Sequence, residues 1–474
     1  MKNLTRSLKA LIQEFLDSSH LPDEATVRRL VQEEPELATL LILEQARRLR
    51  ELQAPSPATP SGMIPIYQKP AAKGRKKKPG RKDGHKGARR SPPPKIDQRV
   101  EHRLERCPDC GSELRPCTSP HSVRTRIIED IPTDIHPVVT EHVLHRDYCP
   151  HCHKLVEPKV PDALPHATIG NRVLTMSAHW HYDLGMPIAQ IVALLNFHLH
   201  FQVSAGGLVQ MWKRLADRLE PWHEQLAEAA RTSAVLHADE TGWRVNGQTH
   251  WLWCFTNPTT TVYVIERSRG SPALFEFFKE TFDGILVTDF WAAYDAIAGS
   301  QRQFCLAHLL RELAKVDQSN TSADWSAFSK KAKRLFQDAL RLRRREDFSP
   351  ETYAARIERL QQRLIDLMLI ESRDADVQRL AHRLEKYWDD LLTFLEHPEV
   401  PPTNNLAERE LRPAVIMRKV MQGNRSDQGA RTQAILMSIF RTLKRRNLPP
   451  GKAILPALGE SLRTGQLPPF ASIG

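Results

Sequence analysis

At Ser233 the chain changes its period. Residues 166–230 carry apolar side chains at helical spacing, but from Ser233 to Asp239 the pattern alternates. Val235, His237 and Asp239 share one face, and Ala234, Leu236 and Ala238 the other. Asn246-Gly247 is a strong tight-hairpin signal and leads into a second apolar run, Thr249–Phe255. Asn257-Pro258 marks another turn before Thr261–Ile265. A helix is predicted over 271–280. Gly284–Asp289 then reads as a buried strand with an acid at its C-terminal end, the edge where α/β sheets place ligand and metal sites. Three antiparallel strands, a helix and a further strand restrict the topology more than any other feature of the chain.

That order is the order of a ribonuclease-H-like fold. In it the first and fourth strands are neighbours, so Asp239 and Asp289 come within reach of one metal ion. A carboxylate inside a strand is costly without a partner, which leaves Asp239 little structural reason to be there. A third acid is sought in Pro402–Pro413, where Thr403 or Asn404 can cap a helix that presents Glu408, with Arg409 and Arg412 beside it. Three hard oxygen ligands suit Mg²⁺ or Mn²⁺ and phosphoryl transfer, in which two ions sit ~3.5–4 Å apart. Residues 409–446, Arg418 and Lys419 included, hold ten Lys or Arg and two acids, as a DNA-facing surface would.

Each acid has a plainer reading. Asp289 can cap the turn from Trp291 onward, and Glu408 can pair with Arg412 one helical turn away. Glu240 falls on the opposite strand face and reads as solvated, although it is the runner-up to Asp239. Asp295 and Glu410 are weaker competitors. His308 either orients DNA or satisfies the core, and the core reading is the commoner one for a lone histidine. Residues 322–397 form a long helical stretch, with Ser349-Pro350 a clean helix start, so an all-helical insertion is expected to interrupt the catalytic fold.

The flanks point to a polyanion. The chain carries 68 Lys+Arg against 56 Asp+Glu, net +12. Ten of the eighteen residues 73–90 are basic and one is acidic. Among them Arg75, Lys76, Lys77, Lys78, Arg81 and Lys82, interrupted by Gly and Pro, read as an extended arm on phosphates. Before the arm lie a leucine-rich helical region and a Pro-rich linker. After it, Cys107-Pro108-Asp109-Cys110 and Cys149-Pro150-His151-Cys152 pair two knuckles of one form, the pattern of a tetrahedral structural Zn²⁺ site. Their 38-residue separation is long, and strand-like runs such as Ile127-Ile128 and Val138-Val139 would fill it. His102, His145, His151 and His153 are substitute ligands. Met186–Leu195, followed by a helix capped at Ser204 and carrying Leu208, Trp212 and Leu215, resembles a helix-turn-helix. No apolar run reaches the ~18 residues of a membrane span, and no secretory signal is seen. A cytoplasmic, nucleoid-associated protein is expected.

Four motifs in sequence carry a resemblance. His237-Ala238-Asp239-Glu240-Thr241, Thr288-Asp289-Phe290-Trp291-Ala292-Ala293-Tyr294, Cys305-Leu306-Ala307-His308-Leu309-Leu310-Arg311-Glu312 and Asn404-Asn405-Leu406-Ala407-Glu408-Arg409-Glu410-Leu411-Arg412-Pro413 resemble the DDE transposases of bacterial insertion sequence family 66. The basic arm, the paired Cys segment and the leucine-rich start are similar to that family as well, up to about residue 447. The resemblance implies a ribonuclease-H-like catalytic domain, an acid triad at Asp239, Asp289 and Glu408, and Mg²⁺ dependence. It also implies action on the element's own terminal repeats and small accessory proteins as partners.

The expected architecture is multidomain α+β. Its divisions are a helical region at 1–53, linker and arm at 54–94, a zinc-binding domain (zinc ribbon) at 95–160 and a helix-turn-helix-like segment at 166–230. The catalytic core occupies 231–315 and 401–447 around the helical insertion at 316–400, and a tail occupies 448–474. The expected activity is strand cleavage and strand transfer of double-stranded DNA by a self-associating protein. The competing readings are a non-catalytic zinc-ribbon regulator, or a nuclease of the same fold that does not join.

Overall fold

A computed structural model describes residues 93–115, 125–132, 135–279 and 281–470, together with Thr39. The leucine-rich region and the basic arm, with Arg75, Lys76, Lys77, Lys78, Arg81 and Lys82, lie outside the described residues. The chain forms two compact units. One takes Ala227–Gly242 and His250–Arg412; the other takes the described residues from Pro93 to Leu226, Trp243–Thr249 and those from Pro413 onward.

The first unit is built on a five-stranded mixed sheet. Its strands are β3 (Val235–Val245), β4 (Gln248–Thr256), β5 (Thr261–Glu266), β6 (Ile285–Thr288) and β7 (Gln301–Phe304), in spatial order β5-β4-β3-β6-β7. β4 and β5 are antiparallel, whereas β3–β6 and β6–β7 are parallel. The short apolar β6 is buried along its whole length, as a strand between two parallel neighbours must be. Gly284 admits it to that place, because a Cβ there would lie 2.4 Å from the Ser233 carbonyl oxygen. Helix α4 (Ser271–Phe278) covers β4 through Phe277, whose ring stacks on Phe255 at 3.7 Å.

Three long helices come after α5 (Leu306–Val316): α6 (Ala323–Leu342), α7 (Pro350–Met368) and α8 (Ala375–Lys386), with the short α9 (Thr393–Glu396) behind them. Ser322 and Ser349 cap α6 and α7 through their hydroxyls, and Pro350 opens α7. Their apolar faces do not close on themselves. Ile285, Val287 and Phe304 of the sheet share one core with Leu309 and Leu313 of α5, Trp325 and Phe336 of α6, Leu364 of α7 and Leu380 of α8. Arg379 and Arg383 of α8 both bind Glu312 of α5, tying the helices at a buried carboxylate.

The second unit packs α1 (Asn171–Tyr182), α2 (Ile188–Ala193), the start of α3 (Ala205–Arg231), the end of α10 (Asn405–Met421), α11 (Asp427–Arg445) and α12 (Pro450–Thr464). Ser204 caps α3, and Leu208, Trp212 and Leu215 are buried. Trp212 donates to Ser177 at 3.0 Å and stacks on His181. Residues 448–474 are expected as a tail; their described part, 448–470, contains α12, which packs on α1. Trp222 then donates to the Pro468 carbonyl at 2.7 Å and meets the Phe470 ring, so the segment is part of this unit. The turn between β3 and β4 places Asn246 and Gly247 at φ +49° and +75°, the paired left-handed residues of a tight hairpin. Its Asn246 N–H donates to the Asn424 carbonyl at 2.9 Å, and Gly423 is required beside it, since a Cβ would fall 2.2 Å from the Arg244 oxygen.

The Cys-bearing segment has little regular structure. β1 (Asp147–Cys149) pairs with β2 (Lys154–Val156), and an Arg106–Glu113 bridge forms the other ladder. Ile127-Ile128 and Val138-Val139, expected as strands, are exposed and form none. The β-branched residues are there, but among the described residues no neighbouring strand supplies the ladder. Among the described residues, no helix is long and apolar enough to cross a membrane.

Candidate active site

The sheet register places the first two acids. β3 and β6 pair Val235 with Ile285, Leu236 with Leu286 and His237 with Val287. Continued two residues past its last pair, that register sets Asp239 beside Asp289, the first residue after β6. Asp289 also accepts from the Trp291 N–H at 2.9 Å, so it performs the local turn role as well. The chain then turns through a short 3₁₀ helix, Ala292–Ala296.

Glu408 arrives on the first turn of α10. Thr403 or Asn404 is expected from the sequence as a helix cap, and the Asn404 side chain reaches the sheet instead. Its amide donates to the Ala238 carbonyl at 2.7 Å, and its oxygen lies 3.0 Å from His237 Nδ1. The residue before α10 is thus stapled to β3 immediately before Asp239. Tyr263 of β5 donates to the Glu410 carbonyl at 2.7 Å, and Leu306 donates to the Pro402 carbonyl at 3.0 Å. These bonds fix the start of α10 against the sheet. The Glu408 carboxylate lies 3.6 Å from His308 Nε2.

The charges report one cluster. The Asp239 carboxyl is pushed well above the usual carboxylate range by burial first, then by the charges of Glu240, Asp289 and Glu408. A single N–H, from Glu240 at 2.9 Å, works in the other direction. Burial lowers His308, while Asp289 and Glu408 pull it up. His308 Nδ1 and Glu408 Oε1 are buried without hydrogen-bond partners. Carboxylates gathered in this way, with an oxygen unsatisfied, are what a divalent cation would neutralise. His308, for which the sequence favours a core role, stands at the site.

Glu240 is not solvated. Its side chain is 2% exposed, bound by Arg269 at 2.9 Å and by the Tyr294 hydroxyl at 2.8 Å. The Arg269 guanidinium lies between the rings of Trp251 and Trp291, 4.6 and 4.0 Å from their centroids. The solvated reading fails because strand alternation says which face a residue takes, not what covers that face. Glu240 and Arg269 are 29 residues apart, so no local pattern links them.

Other candidates divide. The two Cys knuckles share a backbone turn but not a ligand cluster, since among the described residues their four sulfurs are not gathered closely enough to hold one ion. The Cys107 N–H donates to the Ser112 carbonyl at 2.9 Å with Gly111 at φ +75°, and Cys149 Sγ accepts from the Cys152 N–H at 3.4 Å with His153 at φ +52°. Each turn thus ends on a left-handed residue after its second cysteine. Arg409, Arg412 and Lys419 are exposed, whereas Arg418 is half-buried. A cavity of about 430 Å³ lies between α6 and α7, lined by Lys331, Arg334, Asp338 and Arg363, with none of the clustered acids in its wall. Its position makes it a feature of helix packing.

Comparison with known proteins bears on the same region. Uncharacterized protein y4qI of Sinorhizobium fredii is 24% identical over 313 residues, 59% of this chain and 57% of that protein. Uncharacterized protein y4jO of the same organism is 33% identical over 73 residues, 15% of this chain and 23% of that one. The chain therefore spans less than two thirds of either relative. A family model described as "Transposase IS66 family" matches residues 166–432, which include β3, β6 and the start of α10. That match covers more than half of the sequence, and the chain belongs to the transposase IS66 family.

Proposed function

We propose that this protein is a DNA transposase that cleaves and joins strands at a site formed by Asp239, Asp289 and Glu408. The observation that carries the reading is the convergence of three acids, from β3, the residue after β6 and α10, on one half-buried cluster, in which Asp239 feels the charge of both others. The sheet order β5-β4-β3-β6-β7 is consistent with a ribonuclease-H-like core. The core would span 231–315 and 401–447, with the helices of 316–400 as its insertion.

Asp239, Asp289 and Glu408 offer the hard oxygen donors that Mg²⁺ or Mn²⁺ takes. When bound, such ions activate the attacking oxygen and stabilise the leaving one. The chain's own residues do the rest. Asn404 and the β3–β6 register hold the three carboxylates together. Arg269 and Tyr294 neutralise Glu240 and keep it out of the reaction. Arg409 and Arg412, exposed beside Glu408, bind phosphate oxygens. In the reaction a water oxygen attacks phosphorus at the element end, and the 3′-oxygen leaves and is protonated. That 3′-hydroxyl then attacks a phosphorus of the target strand, whose 3′-oxygen leaves in turn. No covalent link to the protein forms.

The matching knuckles at Cys107, Cys110, Cys149 and Cys152 support a structural Zn²⁺ domain over 95–160. The helices of 166–230, the linker and basic arm of 54–94, and Lys419 would add contacts to the terminal repeats. Self-association and small accessory proteins complete the proposed complex, in the cytoplasm at the nucleoid.

The test is cleavage and joining of a labelled element-end duplex with Mg²⁺. Wild type should join, and Asp239→Ala, Asp289→Ala and Glu408→Ala should bind the DNA but lose on the order of 10³-fold or more in rate. Retained strand transfer by Asp239→Ala sinks the triad. Binding without cleavage, with accessory proteins supplied, favours a regulator; cleavage without joining favours a nuclease.

A further inference from the structure

α5 is preceded by Cys305 and carries His308, a Cys-Leu-Ala-His sequence that opens against the acid cluster. A spacing of three places both side chains on one side of the first turn. Glu408 enters from the first turn of α10. One ligating atom from each of the three lies within 4.8 Å of the other two. His308 Nε2 lies 3.6 Å from Glu408 Oε1, and two buried atoms of these residues, His308 Nδ1 and Glu408 Oε1, have no hydrogen-bond partner. Buried polar atoms are almost always satisfied, so two adjacent exceptions call for an explanation.

The third donor is a buried thiol, which burial pushes above its usual range while backbone N–H groups work in the other direction. Cys305 Sγ accepts from the Asn404 N–H at 3.1 Å. The N–H groups of Ala307 and His308, at the start of α5, also bear on the sulfur. Backbone N–H groups at a helix N-terminus favour a thiolate. Sulfur, imidazole nitrogen and one carboxylate oxygen are a poor set for Mg²⁺, which takes oxygen, and a good one for Zn²⁺. Three protein ligands leave the fourth tetrahedral position open.

We propose that Cys305, His308 and Glu408 form a Zn²⁺ site that overlaps the acid cluster and withdraws Glu408 from it. On binding, the Cys305 thiol gives its proton to solvent as the Zn–S bond forms, and no electron is transferred. The inhibitory consequence rests on the reading of Glu408 as catalytic; the zinc site itself does not. Zn²⁺ at this site makes the Mg²⁺-dependent reaction zinc-sensitive.

The experiment uses the full chain as wild type, Cys305→Ser, His308→Gln and Cys305→His, each dialysed against micromolar free Zn²⁺ and analysed for bound metal. Zinc held by the paired Cys knuckles is common to all four and cancels. Wild type and Cys305→His, which keeps a ligating side chain, should hold one equivalent more than Cys305→Ser or His308→Gln. Co²⁺-loaded wild type should show a thiolate charge-transfer band that is weaker in Cys305→Ser. Equal zinc in all four, with an unchanged Co²⁺ spectrum, overturns the site. Filling it should slow wild-type cleavage at least tenfold; a filled site with undiminished cleavage overturns the withdrawal of Glu408. Cleavage that survives Glu408→Gln would instead remove the catalytic reading and leave the zinc count as it was.

Discussion

Asn404 shows how one side chain can set a site it does not belong to. It spans from the start of α10 to β3, giving a hydrogen bond to Ala238 and meeting His237. Both partners lie just before Asp239 in β3, so the bonds fix Glu408 and Asp239 relative to each other. Asn404→Ala removes this bridge and leaves the buried Ala238 carbonyl without that donor, at a cost of about 1–3 kcal/mol. The expected result is a lower melting temperature and a loss of roughly 10²-fold in cleavage rate, because small displacements in a positioned site are amplified. Thermal unfolding read with cleavage kinetics checks it. Asn404→Ala that melts lower but cleaves normally would make the residue purely structural. Glu240 and Arg269 offer the contrast of a buried pair: the charge is neutralised in place, and the rings of Trp251 and Trp291 shield it.

Among the elements, the junction of α1 and α11 carries a buried ionic arrangement. Asp183 comes directly after the last residue of α1, where a helix dipole disfavours an acid. Its side chain is 2% exposed and meets Arg441 at 3.0 Å, Lys444 at 3.2 Å and His179 at 3.3 Å. Burial alone would raise the Asp183 carboxyl, but the His179 bond and the two cations outweigh it and bring it to about 2. A depressed carboxylate contributes stability that is fully present above its unfolded value near 3.8 and is lost as pH falls through about 2. The contribution at neutral pH is about 2 kcal/mol on that shift. Asp183→Asn should therefore destabilise the protein at neutral pH, and the deficit relative to wild type should shrink between about pH 4 and about pH 2 as the wild-type carboxylate protonates. Denaturant unfolding at a series of pH values measures it; a deficit constant with pH would refute the assignment.

At this scale the legible part of the sequence is local. Alternation from Ser233, the Asn246-Gly247 turn and the Ser349-Pro350 start each specify backbone geometry within a few residues, and β3, the β3–β4 hairpin and α7 are where those signals stand. The neighbouring of Asp239 and Asp289 is legible too, because strand order fixes it. Tertiary coverage is not. Nothing around Glu240 announces Arg269, and nothing around Cys305 announces Glu408, 103 positions away. The apolar runs at Ile127 and Val138 mislead, since β-propensity needs a partner strand to act on. Residues 448–464 carry helical spacing to which the sequence alone assigns no role, yet α12 is part of a core.

The whole chain is a cation, net +12, and that charge should appear in binding as salt dependence. Each phosphate neutralised by Lys or Arg releases condensed counterions, so log K falls linearly with log salt at a slope of about −0.9 per contact on duplex DNA. Arg409 and Arg412 are exposed on the helix that carries Glu408, a placement suited to phosphates flanking the reacting bond. Arg418, half-buried with its charge penalised by desolvation, is a poorer candidate for such a contact. Arg409→Ala and Arg412→Ala should each flatten the slope by about 1 and weaken binding to terminal-repeat and unrelated duplexes alike. Arg418→Ala should leave the slope nearly unchanged. Fluorescence anisotropy across a salt series on both duplexes separates the cases. A slope unmoved by Arg409→Ala and Arg412→Ala would take this face of α10 away from the DNA, and the basic residues elsewhere in the chain would have to supply the charge that holds it.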